Sequence, residues 1–177
     1  MASTTTRLIT FEEFAKIPNP PGGKYELHHG ELVFVAPPKH GHNKMQARLM
    51  RLLDRAGAHA GEVTMELGFK PSREHEYWIA DVAFVSRSRW DATPSDAYLS
   101  GSPELVIEVL SPSNSNAEMR DKRKICLENG AREFWVVDLN LREVEVSTPD
   151  GRSVTYKPGQ QIPLFFDGTL AVDEIFA

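Results

Sequence analysis

Apolar positions along this chain follow two periods, and the switches between them mark the elements. Met45, Leu49, Leu52, Leu53 and Ala56 fall at helical spacing, predicting a helix over 42–60 stopped by Gly61. Thr10 followed by Glu12 and Glu13 predicts a short capped helix that ends before Pro18. Pro20-Pro21-Gly22-Gly23 reads as a turn. Residues 24–35 read as two strands broken at His28-His29-Gly30, a hairpin turn, and Pro37-Pro38 closes that unit. Further strands are predicted over 62–69, 77–85, 104–110 and 134–137, with outer antiparallel strands at 144–146 and 154–156. A polar loop is expected over 86–102. Ser111-Pro112-Ser113-Asn114 reads as a turn into a helix over 115–129, ended by Gly130. That helix links strand 104–110 to strand 134–137, which implies a parallel pair with a right-handed crossover. The expected fold is α/β: a mixed central sheet, flanking helices and an N-terminal hairpin. Residues 1–9 are expected to form a disordered leader and 10–177 a single domain.

Three charges stand where this pattern calls for apolar residues. Strand 78–85 is apolar on both faces, as in a central, doubly covered strand. Ile79, Ala83 and Val85 are expected on one face, with Trp78, Ala80, Val82 and Phe84 on the other; Asp81 falls on the first. Glu108 interrupts the next strand in the same way, among Leu105, Val106, Ile107, Val109 and Leu110. A buried carboxylate must be paired, hydrogen-bonded or bound to a metal. Two of them on neighbouring strands repel unless a cation lies between. On helix 115–129, Lys122 falls within the arc of Met119, Ile125 and Cys126, whereas Arg120, Arg123 and Lys124 lie outside it. Each residue alone has an ordinary explanation: a structural ion pair, or a lysine stem covering apolar surface. Their convergence at one end of a sheet makes a functional site the better reading.

Composition narrows the class. The net charge of −5 excludes a generally basic nucleic-acid binder, so any such partner must be met by a local patch or through metal ions. A single cysteine, Cys126, excludes an internal disulfide and points to a reducing compartment. No apolar run approaches the roughly 18 residues of a membrane span, and the first ten residues lack a signal-peptide core. A cytoplasmic protein is expected. The histidines at 28, 29, 40, 42 and 75 form no zinc pattern, and there is no CxxC or HExxH. No phosphate-loop or dinucleotide fingerprint is present, and Ser111 lacks a nucleophile elbow.

The runs Ala80-Asp81, Glu108-Val109-Leu110-Ser111-Pro112-Ser113, Lys122 eight residues before Gly130, and Glu133-Phe134-Trp135-Val136-Val137-Asp138 resemble the Uma-type restriction endonuclease family. This former domain-of-unknown-function group lies within the PD-(D/E)XK nuclease superfamily. The resemblance extends to Tyr25-Glu26-Leu27, Gly30-Glu31-Leu32, Pro37-Pro38 and His42, and spans Thr10 to Phe176. It implies a restriction-endonuclease-like core with Asp81 as metal-binding aspartate and Glu108 as second acid. Leu110 occupies the place of the superfamily's lysine, and the resemblance implies that Lys122 takes over that role. Ala80 stands where that motif has proline.

Phosphodiester hydrolysis needs an activated water and neutralisation of charge on the phosphate, which Mg²⁺ provides. Mg²⁺ takes one or two carboxylates and keeps several waters, with Mn²⁺ as its substitute. Asp81 and Glu108 supply that number, and the backbone at Val109 is a candidate further ligand. Lys122 orients the water or stabilises the phosphate. Glu26, Glu31 and His42 are supplementary candidates. Lys44, Arg48, Arg51 and Arg55 form one stripe on helix 42–60, with Lys39 just before it, as a candidate phosphate contact. The expected activity is Mg²⁺-dependent endonucleolytic cleavage of DNA. A catalytically silent binding module with the nuclease fold, or a hydrolase of another phosphoester, fits the same residues. A duplex cutter needs two centres, so a homodimer is expected, with the outer strands and Phe165-Phe166 as supports.

Overall fold

The computed structural model describes residues 7–71, 74–111 and 115–177. Residues 1–6 of the expected leader and residues 112–114 of the expected turn lie outside the described residues. Ile9 bonds through its N–H to the Gly30 carbonyl. The elements are α1 (Phe11–Phe14), β1 (Lys24–His28), β2 (Glu31–Val35), α2 (His40–Gly57), β3 (Gly61–Lys70), β4 (Trp78–Ser86), α3 (Arg87–Ala92) and β5 (Leu99–Ser100). They continue as β6 (Leu105–Val109), α4 (Asn116–Glu128), β7 (Glu133–Asp138), β8 (Glu143–Ser147), β9 (Ser153–Tyr156), β10 (Gln161–Pro163), β11 (Thr169–Ala171) and α5 (Val172–Phe176).

A mixed sheet in the order β5-β3-β4-β6-β7-β8-β9 divides the molecule. β6 and β7 are parallel and joined by α4, whereas β3-β4-β6 and β7-β8-β9 pair antiparallel. One face packs under α2 and α5, where Leu49, Leu53, Val82, Phe84, Ile107 and Ile175 join one apolar cluster. The other packs under α4, with Trp78, Ala80, Val106, Met119, Ile125 and Cys126. The β1-β2 hairpin turns at His29 and Gly30, both at positive φ, as a two-residue loop requires. It joins the sheet through a Leu27–Tyr77 bridge. Thr10 and Glu13 form a reciprocal capping box on α1, and Ser115 caps α4 by accepting from the Glu118 N–H.

Four sequence expectations need correction. α2 spans His40–Gly57 rather than 42–60. Its start carries no side-chain cap to mark it, and at its end Gly57 lies close against Phe166, where a Cβ would meet the ring at 2.7 Å. Gly61 is not a helix stop but the first residue of β3, where a Cβ would strike the Val85 carbonyl at 2.2 Å. The expected loop over 86–102 contains α3 and β5. α3 buries no residue fully and therefore has no apolar period to read. Phe165 and Phe166, both partly exposed, pack on Phe84, with Phe166 stacked at 4.4 Å.

The fourth correction concerns the site. Strand alternation predicts Trp78, Ala80, Val82 and Phe84 on one face. In the structure Val82 and Phe84 lie in the α2 cluster, while Trp78 and Ala80 lie in the α4 cluster. β3 does the same, with Val63 and Met65 on the α2 side but Phe69 and Leu67 on the other. The change falls where Met65↔Val82 and Leu67↔Ala80 pair but Glu66 and Asp81 between them do not. Glu66 there has φ of +54°, a conformation unusual for a residue with a side chain. Both strands therefore exchange faces at Glu66 and Asp81.

Candidate active site

Beyond Val82↔Ile107, among the described residues, β4 and β6 no longer pair, and side chains take over the backbone groups of the opened sheet. The Ile79 N–H donates to Glu26 at 2.6 Å. Lys122 Nζ donates to the Ile79 carbonyl at 2.7 Å. The Val109 N–H donates to Asp81 Oδ2 at 2.7 Å. Asp81, Glu108, Lys122 and Glu26 meet in this opening. Lys122 Nζ lies 2.8 Å from Glu108 Oε1 and 3.8 Å from Glu26, all three side chains being almost fully buried. The Lys122 stem brings the ammonium to 5.6 Å from the Trp78 ring. Lys122 therefore reaches the β6 acid from α4.

The opposite side of Asp81 faces α2. His42 Nε2 lies 3.0 Å from Asp81 Oδ1, and Gln46 Nε2 donates to the same oxygen at 2.9 Å. Gln46 also donates to Glu66 Oε1 at 2.5 Å, and Glu66 pairs with Lys24 at 3.3 Å. Glu26 is held from its own hairpin by His28, 2.7 Å away, whose ring stacks flat on Trp78 at 3.5 Å.

Burial is the largest influence on Glu108 and pushes its carboxyl up to about 8, helped by the charges of Asp81 and Glu26 and opposed by Lys122. Burial works against a charged Lys122, but the Glu108 and Glu26 carboxylates outweigh it and hold the ammonium above its ordinary range. Burial likewise opposes ionisation of Glu26, yet Lys122, His28 and the Ile79 N–H together hold it below the usual carboxylate range. Glu26 is thus the counter-ion of Lys122 that ionises first, and Glu108 is the acid that keeps its proton to higher pH. The hydrogen bond to Asp81 raises His42, against partial burial.

A divalent cation fits this donor set. Three carboxylates, Glu26, Asp81 and Glu108, crowd one lysine. Glu108 Oε1 is buried and has no hydrogen bond aligned with it; its contact to Lys122 is an ion pair. Among the described residues no three His, Cys, Asp or Glu side chains converge at metal-ligand spacing. A cation here would therefore be held by two carboxylates and completed by water, a coordination that Mg²⁺ accepts.

The other candidates separate. Glu31 is exposed at the start of β2. At about 100° per residue, Lys44, Arg48, Arg51 and Arg55 lie on the far side of α2 from His42 and Gln46. Arg48 bonds the carbonyls of Ile175 and Ala177 and, with Arg51, Arg55 and Glu174, lines a shallow pocket. The structure does not bring this stripe to Asp81. Sequence reasoning missed Gln46 and Glu66. Gln46 lies in the apolar arc of its helix and was detectable as a buried polar residue. Glu66 gave no signal, because it alternates with Met65 and Leu67 like any solvent-facing acid.

A pH dependence follows. Were Glu108 a metal ligand, only its ionised carboxylate would bind, so Mn²⁺ affinity would rise as pH climbs toward about 8 and level off above it. The metal-free fold moves the other way. Folded Glu108 keeps its proton above the reference value of 4.5, so its contribution to stability is full below that value and is lost as pH rises through about 8. Calorimetric titration of Mn²⁺ and urea unfolding in EDTA across that range check both; a flat Mn²⁺ profile contradicts the assignment.

A solved structure similar over nearly the whole chain is that of a putative nuclease belonging to DUF820 from Anabaena variabilis. It is 20% identical with a TM-score of 0.82, covering 95% of this chain and 97% of that one. At that identity the likeness shows the shared fold. No curated protein matches. The model of the family described as "Uma2: Putative restriction endonuclease" matches residues 11–173, and the chain belongs to that family.

Proposed function

We propose that this protein is a Mg²⁺-dependent endonuclease that hydrolyses phosphodiester bonds of DNA, with Asp81, Glu108 and Lys122 as its catalytic residues. The observation that carries the reading is the opened end of β4 and β6, where Glu108 and Lys122 form a buried ion pair and Asp81, from a third element, takes the Val109 N–H next to Glu108. Asp81 and Glu108 would hold the cation, with the Val109 backbone beside them and Mn²⁺ as a substitute. When bound, the metal supplies an activated water and neutralises charge on the phosphate.

Lys122 stays protonated, so it cannot serve as base. Its role is a fixed positive charge that stabilises the phosphate in the transition state. Glu26 keeps that charge in place through the ion pair and by bonding the Ile79 backbone. His42, bonded to Asp81, holds that carboxylate from the α2 side. Lys44, Arg48, Arg51 and Arg55 are proposed as a remote backbone contact for long DNA. Cutting both strands requires two centres, so the reading implies a homodimer. Among the described residues, no helix is long and apolar enough to cross a membrane. The test is metal-dependent nicking of plasmid DNA by wild type and by alanine variants of the three catalytic residues. Mn²⁺ binding without cutting of any nucleic acid would favour a silent module with the same fold.

A further inference from the structure

We propose that Gln46 is a positioning residue for this centre, locking the orientation of the Asp81 carboxylate, and that Glu66 is its outer anchor rather than a ligand. The inference rests on the metal-dependent reading above. Gln46 is 1% exposed, a cost for a neutral amide unless its groups are bonded. Its Nε2 faces carboxylate oxygens of two adjacent strands, Asp81 Oδ1 at 2.9 Å and Glu66 Oε1 at 2.5 Å. Only the donor end of an amide can face two acceptors, so this environment fixes which way the side chain points.

The rest of the fold is arranged around that bridge. Glu66 and Asp81 are the opposed pair omitted from the β3-β4 ladder, and Glu66 takes a left-handed backbone conformation there. Asp81 Oδ2 is taken by the Val109 N–H, so the two ends of the carboxylate are held separately, from β6 and from α2. Lys24 holds the outer oxygen of Glu66, completing a line Lys24–Glu66–Gln46–Asp81. A neutral donor is what the position requires. A lysine there would neutralise Asp81 and compete with a cation, and an apolar residue would leave two carboxylates facing each other. The amide holds Asp81 still while leaving its negative charge for the metal. Such supporting bonds typically hold metal affinity up by about 10–100-fold.

The experiment is calorimetric titration of Mn²⁺ into the full chain, beside melting temperatures by circular dichroism in EDTA. Its variants are Gln46→Leu, Glu66→Gln, Glu66→Leu and Asp81→Asn. Gln46→Leu is expected to weaken Mn²⁺ binding about 10–100-fold while the metal-free protein still melts cooperatively. Glu66→Gln keeps an oxygen facing the amide and is expected to bind nearly as wild type; Glu66→Leu is expected to lose affinity as Gln46→Leu does. A lowered melting temperature with unchanged affinity in Gln46→Leu would show a merely structural role and overturn the proposal. Loss of binding in Glu66→Gln as complete as in Asp81→Asn would make Glu66 a ligand and overturn the outer role given to it. Should Gln46→Leu not fold, the contrast between the two Glu66 variants decides. Wild-type protein that takes up no Mn²⁺ overturns the metal-dependent reading itself, and this inference falls with it.

Discussion

Lys122→Ala is expected to abolish cleavage and to lower stability by about 3–5 kcal/mol above the Glu108 pKa, the usual cost of removing one partner of a buried ion pair. The loss should depend on pH in a specific direction. Lys122 stands between Glu108 and Glu26, both buried. Without it, Glu108 escapes the penalty by keeping its proton wherever the pH allows. Because burial already lifts that carboxyl to about 8, the variant should lose least in mildly acidic buffer and most in alkaline buffer. Urea unfolding on each side of that value measures the difference. Equal losses at both would assign the effect to the Lys122 stem and its packing near Trp78, not to its charge.

The second large effect is that of Asp81→Asn. The substitution preserves shape and an acceptor for the Val109 N–H, so the fold should persist. It removes the charge that a cation needs, and metal-dependent activity should fall below detection. A readout independent of activity accompanies it. His42 is raised above its ordinary value chiefly by its hydrogen bond to Asp81. In the variant that support goes, and the His42 ring, followed by NMR, should titrate at lower pH than in wild type. An unchanged His42 titration would mean that the histidine does not depend on this carboxylate.

Much of this centre could be read from the sequence because its residues violate a strong local pattern. Asp81 and Glu108 interrupt apolar strands, and Lys122 interrupts an apolar helical arc. All three are brought together because the crossover between parallel β6 and β7 lays α4 over the sheet. Glu26 was placed by a hairpin whose turn residues, His29 and Gly30, announce themselves. Gln46 obeyed the same logic as Lys122, a polar group in the arc of Leu49 and Leu53, but an uncharged side chain raises less suspicion. Glu66 could not be found that way. Its position depends on the exchange of faces within β3 and β4, and period-two alternation assumes that strands never make one. The same assumption misassigned Trp78 and Ala80. The basic stripe on α2 is correctly read as a stripe, yet its distance from Asp81 depends on which side of the helix meets the sheet.

The central claim is that Asp81, Glu108 and Lys122 form one metal-dependent cutting centre. Nicking of supercoiled plasmid, compared in Mg²⁺, Mn²⁺ and EDTA for wild type and for Asp81→Ala, Glu108→Ala and Lys122→Ala, tests it most directly. The account predicts that wild type cuts with either metal, that EDTA stops it, and that each variant is inactive while still folded. Cutting that survives in EDTA, or in any of the three folded variants, would contradict it.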